Sequence, residues 1–90
     1  MNKARRKALL DLKERIESLQ SDVYDVLNAL ETFKDEEQEY LDNMPDNLQG
    51  SEKYEKAEEA VSNLEEAYST LEDITSSLGE AASGIEEATE

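Results

Sequence analysis

The stretch NMPDNLQGS, from Asn43 to Ser51, divides the sequence into two halves and decides its fold. It holds the only proline of the chain and one of its three glycines, together with Asn and Asp residues that favour turns. Pro45 cannot continue a helix because its ring removes a backbone N–H, and Ser51 followed by Glu52 is typical of a helix N-cap. The stretch therefore predicts a short turn over residues 44–51 between two separate elements.

Before this turn, apolar residues recur at alternating steps of three and four, which is the a/d heptad pattern of a helix packed along another helix. Counting Leu9 as position a, the row is Leu9, Leu12, Ile16, Leu19, Val23, Val26, Leu30 and Phe33, and it continues through Glu37, Tyr40 and Met44. The pattern predicts one helix over about residues 3–43, roughly 60 Å long at 1.5 Å per residue. Glu37 is a polar interruption at an a position.

After the turn, the chain repeats a seven-residue unit from Ala57: AEEAVSN, LEEAYST, LEDITSS and LGEAASG. The a and d positions are Tyr54, Ala57, Val61, Leu64, Tyr68, Leu71, Thr75, Leu78, Ala82 and Ile85, and the g positions are Ala60, Ala67, Ile74, Ala81 and Ala88. Three apolar columns form a broader face than a two-stranded seam needs. We predict a helix over about residues 52–88, frayed after about residue 78, because glycine lowers helix stability by roughly 1 kcal/mol.

Two helices of similar length joined by a short turn should fold back on each other. The predicted fold is therefore all-α, a single domain over residues 1–90 that forms a long, coiled-coil-like antiparallel two-helix hairpin. In this pairing, the basic residues Arg5, Arg6 and Lys7 should lie beside Glu86, Glu87 and Glu90.

A hairpin of two helices cannot cover all of its apolar surface, which predicts a symmetric homodimer in the form of a four-helix bundle. The alternative is that the same stripe binds a different protein. The residues expected in this self-association are Leu19, Val23, Val26, Leu30, Phe33, Val61, Leu64, Tyr68, Leu71 and Ile74.

The composition argues against catalysis and cofactor binding. The chain has no Cys and no His, which removes the usual nucleophiles, proton shuttles and ligands of zinc or haem. No stretch matches a calcium loop, a phosphate loop or a catalytic triad. We therefore predict no enzymatic activity, no cofactor and no metal. The apolar runs are too short for a membrane span or a signal peptide, so the sequence predicts a cytoplasmic protein without membrane contact.

The net charge of −15 is distributed unevenly along the chain. Residues 1–15 carry six of the nine basic residues, and no cation follows Lys56. The region after Lys56 contains an acidic ridge, defined here as Glu58, Glu59, Glu65, Glu66, Glu72 and Asp73. Direct binding of nucleic acid is not expected, because most of the chain would repel phosphate. Two interpretations remain open: the ridge mimics nucleic acid toward a basic protein, or it only keeps a small helical bundle in solution.

The segment EEQEYLDNMPDNLQGSEKYEKAEEAVSNLEEA, from Glu36 to Ala67, resembles small acidic helical proteins of phages and Gram-positive bacteria. Its distinctive part is the NMPDNLQGSE turn. The resemblance implies an origin in a phage or mobile element, where such proteins often inhibit host defence nucleases. We therefore predict a protein-binding module, in its most specific form an inhibitor of a CRISPR or restriction nuclease that mimics nucleic acid. The alternative prediction is a structural coiled-coil adaptor that binds a partner helix through the apolar stripe.

Overall fold

A computed structural model describes all 90 residues as two long helices joined by a short connection. Helix α1 spans Lys3–Asp42, a single 3-10 turn spans Asp46–Leu48, and helix α2 spans Glu52–Thr89. The helices lie side by side in opposite directions and form a rod of 70 × 15 × 14 Å. The predicted all-α antiparallel hairpin is confirmed. Helical hydrogen bonding continues to Thr89, and fraying after residue 78 stays a prediction about the protein in solution.

Local side chains define where both helices begin. Asn2 precedes α1 and its Oδ1 accepts a hydrogen bond from the Arg5 backbone N–H at 2.7 Å, while the Ser51 hydroxyl accepts one from the Tyr54 N–H at 3.2 Å. Each bond satisfies a backbone donor that has no partner within the first turn of a helix. Between the helices, Gly50 has a φ of +86°, a conformation that costs other residues energy because of their Cβ atom. The Gly50 conformation and the Ser51 cap together direct the chain into its reversal.

The helices contact each other along different heptad positions. On α2, the a and d residues face α1 as predicted, and Ala57, Val61, Thr75 and Ala82 among them are buried. On α1, the a positions also face the seam, but the second inward row is position e: Arg6, Lys13, Gln20, Leu27, Lys34 and Leu41. The d residues of α1, expected to share the seam, are instead 44–60% exposed. The prediction that the d row of α1 packs in the seam is therefore wrong.

The inward e row of α1 is suited to the seam because long side chains can bury their stems and keep their charged ends in water. The Lys34 ammonium lies 5.4 Å from the centre of the Tyr68 ring, and the Lys13 ammonium reaches Glu86 of α2 at 3.7 Å. Leu27 and Leu41, in the same row, are the buried leucines of α1. The e row therefore packs against α2 although it is less apolar than the d row.

The continuous apolar core lies next to the turn. It consists of Leu41, Met44, Ala57 and Val61, with Tyr54 packed against them. Further along the rod apolar contacts continue, with Leu27 and Ala82 buried, and polar contacts join them. Gln20 donates a hydrogen bond to the Thr75 carbonyl at 3.0 Å. One end of the rod is thus held mainly by apolar packing and the rest by mixed contacts.

At the open end of the rod, the basic residues contact α2 through one backbone carbonyl and one salt bridge. The Arg6 Nε donates to the Thr89 carbonyl at 3.0 Å, and Lys7 pairs within α1 with Asp11 at 3.4 Å. The only salt bridge between the helices is Lys13–Glu86. Arg6 therefore lies against the last turn of α2, as predicted, but through a backbone carbonyl. No salt bridge joins Arg5, Arg6 or Lys7 to Glu86, Glu87 or Glu90.

Candidate protein-binding surfaces

An outward row of large apolar side chains runs along α1. It comprises Leu12, Leu19, Val26, Phe33 and Tyr40, all at heptad position d and all largely exposed. From Leu12 to Tyr40 the row extends about 42 Å at 1.5 Å per residue. Isolated apolar residues on a surface are ordinary, but a continuous row at heptad spacing is the pattern by which one helix packs on another.

The second helix adds a row of mostly small residues, four alanines and one isoleucine, to the same side of the rod. This alanine row is Ala60, Ala67, Ile74, Ala81 and Ala88, at heptad position g, with Lys53 one repeat earlier. The Lys53 ammonium lies 5.9 Å from the centre of the Tyr40 ring, which places the two rows on one side of the hairpin. Ile74 is 42% exposed, and only Ala60 in the row is half-buried. We call the two rows together the apolar face.

The apolar face carries few acids. Next to the alanine row on α2 lies position c, which holds Lys56, Asn63, Thr70, Ser77 and Gly84 and no carboxylate. The α1 edge of the face is mixed, with Arg15 near the open end and Asp22 and Glu36 further along. Arg15 and Glu36 take part in no salt bridge. The face is therefore nearly neutral on a protein that is otherwise strongly acidic.

The acidic ridge lies on other sides of the rod. Glu59, Glu66 and Asp73 occupy position f, which points away from α1 because it is opposite the a/d seam. Glu72, at position e, lines a shallow groove with Tyr24, Leu27, Asn28, Tyr68, Thr75 and Ser76, on the side opposite the apolar face. Glu58 and Glu65 share its heptad position. Hence the ridge and the apolar face are separated around the circumference of the hairpin.

All six carboxylates of the acidic ridge are exposed, and none takes part in a salt bridge. They form three adjacent pairs that recur every seven residues, about 10.5 Å apart along the helix. Side chains three or four residues apart are the direct neighbours on a helix surface, and no two ridge residues have that separation. Beyond Lys56, α2 has no cation of its own to neutralise these carboxylates.

The residues predicted for self-association fall into three groups in the structure. Leu19, Val26, Phe33 and Ile74 lie on the apolar face, exposed to solvent. Val61 is buried in the core next to the turn. The remaining five are half-buried in the seam: Val23, Leu30, Leu64, Tyr68 and Leu71. Leu12, Tyr40 and the small residues of the alanine row complete the face. The heptad spacing of α1 pointed to Leu12 and Tyr40, and the third apolar column of α2 pointed to the alanines.

No group of three or more Asp or Glu side chains is arranged to hold a metal ion. Neither helix contains a segment apolar enough to span a lipid bilayer. Comparison of the chain with protein-family models, with curated proteins and with solved structures finds no match.

Proposed function

We propose that this chain is a non-enzymatic protein-binding module that uses its acidic ridge to occupy a basic, nucleic-acid-binding surface of another protein. The observation that carries the proposal is the set of six exposed carboxylates that have no cationic partner in the chain. A helix that only needed solubility could mix Glu with Lys four residues later and gain stability. This one keeps its negative charge available for an external cation.

Charge density favours a dimer as the active form of such a mimic. A net charge of −15 on a rod of 70 Å corresponds to about one charge per 5 Å. Two chains side by side would carry about one per 2.5 Å, whereas duplex DNA carries one per roughly 1.7 Å. A pair of hairpins therefore comes closer to the charge density of a duplex than one hairpin does.

The most specific form of the proposal is a cytoplasmic inhibitor of a host defence nuclease, such as a CRISPR or restriction enzyme. The resemblance of the NMPDNLQGSE turn to small acidic proteins of phages and Gram-positive bacteria supports this choice of target. Binding would be stoichiometric, and its strength would fall steeply with salt because it depends on exposed charges.

A competition experiment with purified nucleases of these classes and labelled duplex DNA tests the proposal. The protein should displace the DNA from at least one of them, and displacement should weaken as salt rises. A variant with Glu58, Glu59, Glu65, Glu66 and Glu72 changed to Gln and Asp73 changed to Asn should lose this activity. The matched control neutralises six exposed carboxylates of α1: Glu14, Asp25, Glu31, Asp35, Glu39 and Asp42. Equal losses in both variants would contradict a role specific to the ridge.

A second candidate function, a coiled-coil adaptor, is supported by the apolar face. A partner helix with its own heptad stripe would pack on the outward row, and the contact would persist at high salt because it buries apolar surface. Substituting Val26 or Phe33 by Asp would abolish such binding. Both side chains are at least half exposed, so the hairpin itself should tolerate these changes. Neutralising the ridge would leave adaptor binding intact, which separates the two candidates.

A further inference from the structure

We infer that the apolar face is covered by a second copy of this chain, with the two rods antiparallel, so that the turn end of each lies against the open end of the other. In this arrangement α1 packs on α1 of the second copy, and α2 packs on α2. The inference goes beyond the proposed function, because it concerns the opposite side of the rod and holds whatever the acidic ridge binds.

The size of the face fits a dimer contact. The outward row is about 42 Å long, and the rod is 15 Å wide. Covering it would bury about 600 Å² on each chain, or about 1,200 Å² in total, which exceeds the roughly 1,000 Å² expected of a specific interface. The large side chains of α1 and the alanines of α2 also suit a four-helix bundle, because small residues allow close approach of helices.

The direction of packing follows from the distribution of charge along the rod. The open end, residues 1–15 with 79–90, contains six basic and six acidic residues and is neutral overall. The turn end, residues 31–64, contains 11 acids and three lysines, a net charge of −8. A parallel dimer would place two such turn ends side by side. Antiparallel packing places each turn end against a neutral end instead and lowers the repulsion between like charges.

Two opposite charges at the edge of the apolar face also favour antiparallel packing. Arg15 and Glu36 lie on the same row of α1, at heptad position g, and neither has a salt-bridge partner. If antiparallel packing is centred near Val26, Arg15 of each copy comes close to the level of Glu36 of the other. Parallel rods would keep the two residues far apart along the axis.

The first test is the oligomeric state. Light scattering and sedimentation of the full chain should give the mass of a dimer. Leu19→Asp, on the apolar face, should raise the dissociation constant by at least about 100-fold, since it would bury an unpaired charge. Leu10→Asp is the matched control, because Leu10 is also exposed. Leu10 lies on the same heptad row as Tyr24, on the side of the rod opposite the apolar face. Helical circular dichroism should persist in both variants. A monomer at every concentration, or equal effects of the two changes, would overturn the inference.

The second test is direction, measured with spin labels. The chain has no cysteine, so one introduced cysteine gives one label per chain. In an antiparallel dimer, labels at Asp42→Cys should lie about 50–60 Å apart and labels at Ser21→Cys, near the middle, under about 30 Å. Parallel rods would give under about 30 Å at both positions and would overturn the antiparallel arrangement. Both positions are exposed at heptad position f, away from the proposed contact.

Discussion

The two ends of the rod are held together in different ways. At the turn end, Leu41, Met44, Ala57 and Val61 form a continuous apolar cluster. At the open end, the contacts between helices include a hydrogen bond from Arg6 to a backbone carbonyl and one partly exposed salt bridge, Lys13–Glu86. Apolar burial contributes more to stability than exposed ion pairs, which are worth about 0–1 kcal/mol. The hairpin should therefore be most stable near its turn and open from its free ends.

The largest expected effect comes from removing apolar volume at the turn end. Leu41→Ala should lower the free energy of unfolding by about 2–4 kcal/mol, because Leu41 is buried and its loss leaves a cavity in the cluster. Leu9→Ala makes the same change at the open end, where Leu9 is only half-buried, and should cost about 1 kcal/mol. Urea unfolding followed by circular dichroism measures both values. Similar costs at the two ends would show that stability is spread evenly along the rod.

The next largest effect is a change in stability of opposite sign at two glycines, one in the turn and one near the open end. Gly50→Ala should lower the free energy of unfolding by about 1 kcal/mol, because the backbone φ of +86° at this position is unfavourable for a residue that has a Cβ atom. Gly84→Ala should stabilise by up to about 1 kcal/mol, since Gly84 lies inside α2 and an added Cβ meets nothing within 4 Å. Thermal unfolding of the two variants at equal concentration checks the opposite signs. A stabilising change at Gly50 would contradict the conformation described for the turn.

A smaller effect is expected where Arg6 holds the end of α2. Carbonyls of the last helical turn lack partners within the helix, and the Arg6 guanidinium supplies one to Thr89. Arg6→Ala should destabilise by about 0.5–1 kcal/mol and speed amide exchange in the last turns of α2. Arg5→Ala is the control, because it removes the same charge and the Arg5 side chain makes no hydrogen bond or salt bridge with α2. If both variants exchange alike, net charge rather than this hydrogen bond governs the open end.

The fold was predictable because its signals are local. Pro45 and Ser51 mark the turn, and heptad spacing on both sides predicts two helices of similar length. The inward-facing rows of α1 were not predictable in the same way. The d row is more apolar than the e row, yet the e row faces α2, and apolar spacing alone does not say which partner a row will meet. The composition of the acidic ridge was evident from the sequence, but its separation from the apolar face required the orientation of the two helices.

The smallest expected effect concerns the polar middle of the seam. Thr75 is buried, and its hydroxyl donates to the Leu71 carbonyl of its own helix at 3.0 Å, while its carbonyl accepts from Gln20 of α1. Thr75→Val keeps the volume and the backbone carbonyl, so the Gln20 bond should survive, and the Leu71 carbonyl still has its helical partner. The free energy of unfolding should therefore change by less than about 0.5 kcal/mol, because such a hydroxyl bond contributes little within a helix. Gln20→Ala, which removes the contact between helices, should cost about 1 kcal/mol. A larger cost for Thr75→Val than for Gln20→Ala would mean that the buried hydroxyl, and not the Gln20 bond across the seam, stabilises this part of the rod.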